Sequence, residues 1–167
     1  MEIDIYVQKT NKTYNTNYGI PFQCVELIRR FFSTNKLLGV SFPSVVDAVD
    51  FFNTIHTLSS PHKTVKLETF SYPYNHSYSH YLKPGSILFW KRKNTHFPDG
   101  HVALVLESNE KDTIIVQQNL NPPIKKYDTK ELFAKMNYAN SKFLGIKTLP
   151  TKVSSTIQNT TYNVIRL

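Results

Sequence analysis

Cysteine is almost missing from this chain: among 167 residues there is one, Cys24. A single thiol cannot close an internal disulfide or build a multi-cysteine metal site. Long apolar runs are missing too. None approaches the ~20 residues that a membrane-spanning helix requires. The opening residues, Met1-Glu2-Ile3-Asp4-Ile5, lack the basic-then-apolar layout of a secretory signal. A cytoplasmic location is the simplest expectation; export by a non-standard route and prior removal of a signal are the alternatives. Internal repeats, zinc-finger spacing and an aromatic RNA-binding signature are also lacking. His56, His62, His76, His80 and His96 show no metal-ligand spacing, and no helix is expected to bring His76 and His80 together. No metal and no cofactor are expected.

What is present suits one globular domain. Hydrophobic residues make up 40% and charged residues 19%, a composition that folds. The formal charge is +8 and the pI about 9.5. That balance permits contact with nucleic acid, anionic lipid or an anionic wall polymer. The lysines are dispersed, however, and the densest cluster, Lys91-Arg92-Lys93, is expected in a loop. General solubility is the favoured reading. Neither a nucleic-acid nor a membrane partner is expected, and the oligomeric state is open.

Along the chain, residues 1–16 read as a polar arm with one short strand at Ile3–Val7. A helix follows to about Phe32. Pro21 suits its first turn, and Val25, Ile28 and Phe32 recur at helical spacing. A second helix is expected from Ser44 to Ile55, capped by Ser44, with Asp47 in its first turn. Its apolar side would be Val45, Val46, Val49, Phe52 and Ile55. Residues 56–83 read as a long loop with strand character at Thr64–Phe70. Strands are expected at Ser86–Trp90, Val102–Glu107, Thr113–Gln118 and Phe143–Thr148, with a short helix at Thr129–Met136. The tail from Pro150 is a terminal strand or a loose extension. The fold class is α+β.

Cys24 stands at the mouth of its helix, where the partial positive charge of a helix N-terminus stabilises a thiolate. His101, in Gly100-His101-Val102-Ala103-Leu104-Val105, opens a strand and can act as its base. Gly100 is expected to clear space for the nucleophile. The imidazole needs a partner to hold its tautomer. In Val116-Gln117-Gln118-Asn119, Gln117 and Asn119 share one strand face and Gln118 takes the other. Either Gln117 or Asn119 can accept the imidazole N–H. Taken singly, Cys24 reads more simply as a small core residue.

Together these segments resemble a known family. Gly19-Ile20-Pro21-Phe22-Gln23-Cys24-Val25-Glu26 with Arg29-Arg30-Phe31, then Lys83-Pro84-Gly85-Ser86-Ile87-Leu88-Phe89-Trp90, then Gly100-His101-Val102-Ala103, then Gln117-Gln118-Asn119 resemble the cysteine- and histidine-dependent amidohydrolase/peptidase (CHAP) family. Within it, the likeness is nearest to the amidase domain of glutathionylspermidine synthetase/amidase. The resemblance covers Asn17 to Leu149, so the domain is placed at 17–149, with 150–167 as its C-terminal extension. It implies a papain-like fold, with N-terminal helices that carry the nucleophile packed on an antiparallel sheet. It implies Cys24 as nucleophile, His101 as base, Gln23 and Asn119 as oxyanion or orienting residues, and Gln117 as the third catalytic residue. Arg29 falls where that amidase has an arginine near the substrate; the alternative is a surface salt bridge to Glu26. The implied partner is a small-molecule or peptide amide, glutathionylspermidine by nearest likeness. Peptidoglycan cross-bridges and a binding-only role are the alternatives. Two departures stand out. Gln117 replaces the glutamate of such amidases, and nothing resembling an ATP-dependent synthetase domain follows.

Overall fold

The computed structural model describes residues 2–7, 24–72, 82–92, 100–118, 122–134, 141–157 and 160–166. The expected arm strand forms as β1 (Glu2–Val7). Next come helix α1 (Cys24–Thr34) and helix α2 (Ala48–Thr54). A hairpin of β2 (Thr57–Ser60) and β3 (Lys63–Lys66) follows. The remaining strands are β4 (Glu68–Ser71), β5 (Ile87–Arg92), β6 (His101–Ser108), β7 (Asp112–Val116) and β8 (Ile124–Asp128). Helix α3 (Thr129–Ala134), strand β9 (Ser141–Thr148), the short helix α4 (Thr151–Ser154) and strand β10 (Thr161–Arg166) complete the chain.

Six strands form one sheet in the order β4-β9-β5-β6-β7-β8, each neighbouring pair antiparallel. The central strands are buried on both faces, which is why they read as continuous apolar runs. On β6 the alternation is clean. Val102, Leu104 and Leu106 join the core that contains α1 and α2, whereas Ala103 and Val105 join a second core with Leu88, Trp90, Ile115 and Phe143. Helix α1 packs on β6 and α2 on β5. The fold class is α+β, as expected.

The structure redraws several elements. Helix α2 starts at Ala48, not Ser44, and its cap is Asp47, whose side chain accepts the Asp50 N–H at 2.8 Å. A carboxylate both satisfies an orphan N–H and meets the helix dipole, so it displaces the serine as cap. Val46 lies before the helix and is 90% exposed, not part of an apolar face. Asp47→Ala is expected to cost about 1 kcal/mol in urea unfolding. In the stretch read as a long loop, the strand character expected at Thr64–Phe70 appears as β3 and β4, and β2, which was not expected, pairs with β3 as a hairpin. Lys91 and Arg92 continue β5, not a loop, because they pair with Lys142 and Ser141.

The tail is a strand, and it closes on the N-terminus: β10 pairs in parallel with β1, with Ile3 opposite Tyr162 and Ile5 opposite Val164. Ile3 and Ile5 are buried in the α1 core, so the described part of the expected arm, residues 2–7, packs with α1. No described helix is long and apolar enough to cross a membrane.

Candidate active site

Cys24 is the first residue of α1 and is buried, 8% exposed. His101 is the first residue of β6, the strand against which α1 packs. The antiparallel register sets His101 directly opposite Trp90. The two rings lie 5.7 Å apart between centroids, tilted by 35°. Trp90 in turn meets Phe143 at 5.3 Å. The imidazole thus stands against an aromatic wall that limits its rotation.

Its tautomer is set by Gln117. His101 Nε2 lies 3.1 Å from Gln117 Oε1. The Gln117 amide cannot be turned around, because its Nε2 donates to the Pro122 carbonyl at 2.8 Å. A carbonyl only accepts, so Gln117 presents its oxygen to the ring, and His101 Nε2 carries the proton. Nδ1 is left as the basic nitrogen. The Gln117 backbone N–H also donates to the Pro123 carbonyl at 2.8 Å. Residue 117 is therefore held from both its backbone and its side chain. Of the two amides that the sequence offered to the imidazole, Gln117 makes the bond. Asn119 lies outside the described residues, as does Gln23.

Gly100 serves a different purpose from the one expected. Its φ is +65°, and a Cβ there would stand 2.4 Å from the Trp90 carbonyl oxygen and 3.3 Å from Ala48 Cβ. It lets the chain enter β6 in tight contact with β5 and α2, which only glycine permits. The nearest atoms are thus the Trp90 carbonyl oxygen and the Ala48 and Val49 side chains.

For Arg29, a salt bridge to Glu26 was the alternative to a substrate contact, and the structure shows other partners. Arg29 donates to the Pro43 carbonyl at 3.1 Å and its guanidinium lies 4.4 Å from the Phe42 ring centroid. Burial lowers its pKa, and the charge of Glu26 opposes that shift. The partner of Glu26 is Arg30, one helical turn on, with Nε to Oε1 at 2.9 Å. An i, i+4 pair meets on the helix surface more directly than the i, i+3 alternative here, because Arg30 faces the interior.

Three residues at this site were missed from sequence: Glu26, Arg30 and Gln118. Gln118 Nε2 donates to Glu26 Oε2 at 2.6 Å, and Arg30 Nη2 donates to Gln118 Oε1 at 3.2 Å. Just past the end of β7, Gln117 turns toward His101 and Gln118 toward α1. One dipeptide thereby ties the start of β6 to the first turn of the helix that Cys24 opens. The signal was available in part: charged residues four apart inside an apolar helix.

Among the described residues no cluster of His, Cys, Asp and Glu is placed to hold a metal. No curated protein matches the chain. The family model of the CHAP domain matches residues 13–119. That span is more than half of the chain. It begins ahead of Cys24, runs through His101 and stops just past the dipeptide that joins them. A helix-borne cysteine and a strand-borne histidine on an antiparallel sheet are what that family's chemistry needs, and the chain belongs to the CHAP domain family of amidases and peptidases.

Proposed function

We propose that the protein is a thiol amidohydrolase in which Cys24 is the nucleophile, His101 the base and Gln117 the residue that orients the imidazole. The observation that carries this reading is the bond between His101 Nε2 and Gln117 Oε1 at 3.1 Å. It leaves Nδ1 to take the thiol proton. The Cys24 thiolate attacks the amide carbonyl carbon, and its oxygen takes up the negative charge. N–H groups at the start of α1 stabilise that charge, with Gln23 and Asn119 as further candidate donors. The C–N bond breaks as His101 returns its proton to the leaving amine. A thioester remains. Water, losing a proton to His101, attacks the thioester, and the thiol leaves with the acid product released.

A neutral amide suffices for orientation, as in papain-like sites. Gln117 therefore supports catalysis more than the binding-only role. What the amide omits is the charge that would stabilise an imidazolium.

For the substrate, the Gln23-Cys24-Val25-Glu26 and Arg29-Arg30 segment favours a glutathione–polyamine conjugate such as glutathionylspermidine, cleaved at the glycyl–spermidine amide. Arg29 is a candidate for the substrate's carboxylate. The formal charge of +8 favours a second reading, an anionic cell wall with peptidoglycan amide bonds. Purified protein is tested on both. Release of spermidine, absent in Cys24→Ala, supports the first. Clearing of cell-wall suspensions with the conjugate left intact moves the activity to peptidoglycan. If neither is cut and iodoacetamide labels Cys24 only as pH nears the ~8.5 of an ordinary thiol, the protein is not a thiol amidase.

A further inference from the structure

Glu26, Arg30 and Gln118 form a closed ring of hydrogen bonds beneath the site. Glu26 Oε1 accepts from Arg30 Nε at 2.9 Å and Oε2 from Gln118 Nε2 at 2.6 Å. Gln118 Oε1 accepts from Arg30 Nη2 at 3.2 Å and from the Tyr6 backbone N–H at 3.3 Å. Arg30 Nη1 donates to the Asp4 carbonyl at 2.6 Å, and the guanidinium lies 4.7 Å from the Tyr6 ring centroid. The members are 2%, 8% and 0% exposed. None of the described buried side-chain polar atoms lacks a partner.

A buried ion pair is weak evidence for stability, since apolar residues of similar size often do as well. What such a ring supplies is a fixed geometry, because each group has one arrangement that satisfies it. Here the arrangement holds residue 118, and 118 is bonded to the residue that fixes the imidazole.

We propose that Glu26, Arg30 and Gln118 are positioning residues for His101: by anchoring residue 118 to α1 and β1, they hold Gln117 Oε1 on Nε2 and so select the His101 tautomer. The consequence for catalysis rests on the thiol-amidase reading, but the tautomer does not. The ring also brings β1 into the site. Its Asp4 and Tyr6 backbone groups are two of the anchors.

The test uses the full chain and three variants. Glu26→Gln keeps the shape but sets an amide N–H₂ against the Gln118 N–H₂. Gln118→Met keeps the length and removes the bonds. The double change E26Q/Q118E exchanges carboxylate and amide, and every bond in the ring can form again with the same net charge. Heteronuclear NMR of the imidazole nitrogens, assigned with His101→Ala, reads the tautomer. The pH profile of Cys24 alkylation reads its consequence. The wild type is expected to hold the Nε2–H form. Both single variants are expected to lose that preference and to lower kcat on the order of 10- to 100-fold, with KM nearly unchanged. The double variant is expected to restore both. Single variants that melt earlier but keep the wild-type tautomer and pH profile overturn the proposal. Failure of both single variants to fold also overturns it, since the ring then determines the fold and not the imidazole. A tautomer that shifts in a protein that cuts neither substrate leaves the positioning role standing and removes the amidase reading.

Discussion

His101→Ala is expected to lower kcat by about 10³-fold, the size of effect that a positioned acid–base group contributes. The fold should survive, because His101 is partly exposed and its strand is held by buried neighbours on both faces. KM should change little, since the imidazole acts on the moving proton and not on ground-state binding. Gln117 variants refine the expectation. Gln117→Leu leaves His101 Nε2 with no acceptor at that position, so the wrong tautomer gains population and kcat falls. Gln117→Glu is not simply a return to a charged triad. One carboxylate oxygen would face the Pro122 carbonyl, which now receives the Gln117 N–H₂ at 2.8 Å, and two acceptors repel. The amide is thus suited to its neighbour. If the variant tolerates that contact, its charge favours the imidazolium, and the acid limb of the kcat/KM profile moves to higher pH. A profile identical to wild type for His101→Ala would remove the residue from the mechanism.

The second large effect concerns stability. Lys147 on β9 is 0% exposed. Its Nζ donates to Thr69 Oγ1 at 2.9 Å and lies 5.4 Å from the Phe52 ring centroid. Among the described residues no carboxylate pairs with it. Burial lowers its pKa from 10.5 to about 8. Below about pH 8 the amine is charged in both folded and unfolded chains, and its burial is a standing cost. Between about 8 and 10.5 the folded protein has released the proton while the unfolded chain still binds it. Stability contributed by this group therefore rises with pH across that window and is flat below it. The full shift corresponds to about 3 kcal/mol at most, reduced by residual solvent screening to roughly 1–3 kcal/mol. Lys147→Met should stabilise the protein by that amount at neutral pH. It should also abolish the rise, leaving the wild-type and variant urea curves closer at pH 10 than at pH 7. The other lysines and tyrosines titrate in both proteins, so the difference isolates position 147. Equal gains at both pH values would show that Lys147 is not the group responsible.

Local patterns made much of this protein legible from sequence. Helical spacing in Val25, Ile28 and Phe32 located α1 with Cys24 at its start. Apolar runs located β5, β6, β7 and β9 to within a few residues, because a strand buried on both faces reads as a near-continuous apolar run. His101 at the head of β6 and an amide near residue 117 followed from that placement. The start of α2 was misplaced because Ser44 and Asp47 are both good caps, and the local pattern cannot rank them. Strand β2 escaped, and with it the hairpin to β3, because it is short and half polar.

Other features exist only in the assembled molecule. The pairing of β1 with β10 joins residues as far apart as Asp4 and Asn163, and no local signal encodes a parallel partner across that separation. The orientation of the Gln117 amide depended on the Pro122 carbonyl, which accepts its N–H. The choice of Arg30 over Arg29 as partner to Glu26 depended on which side of α1 faces the interior. The one cysteine and the one histidine proposed for the chemistry were legible in the sequence. The bond between the imidazole and Gln117 Oε1 was decided by the fold, which sets the start of β6 beside the end of β7, because a proton's position depends on neighbours in space and not in sequence.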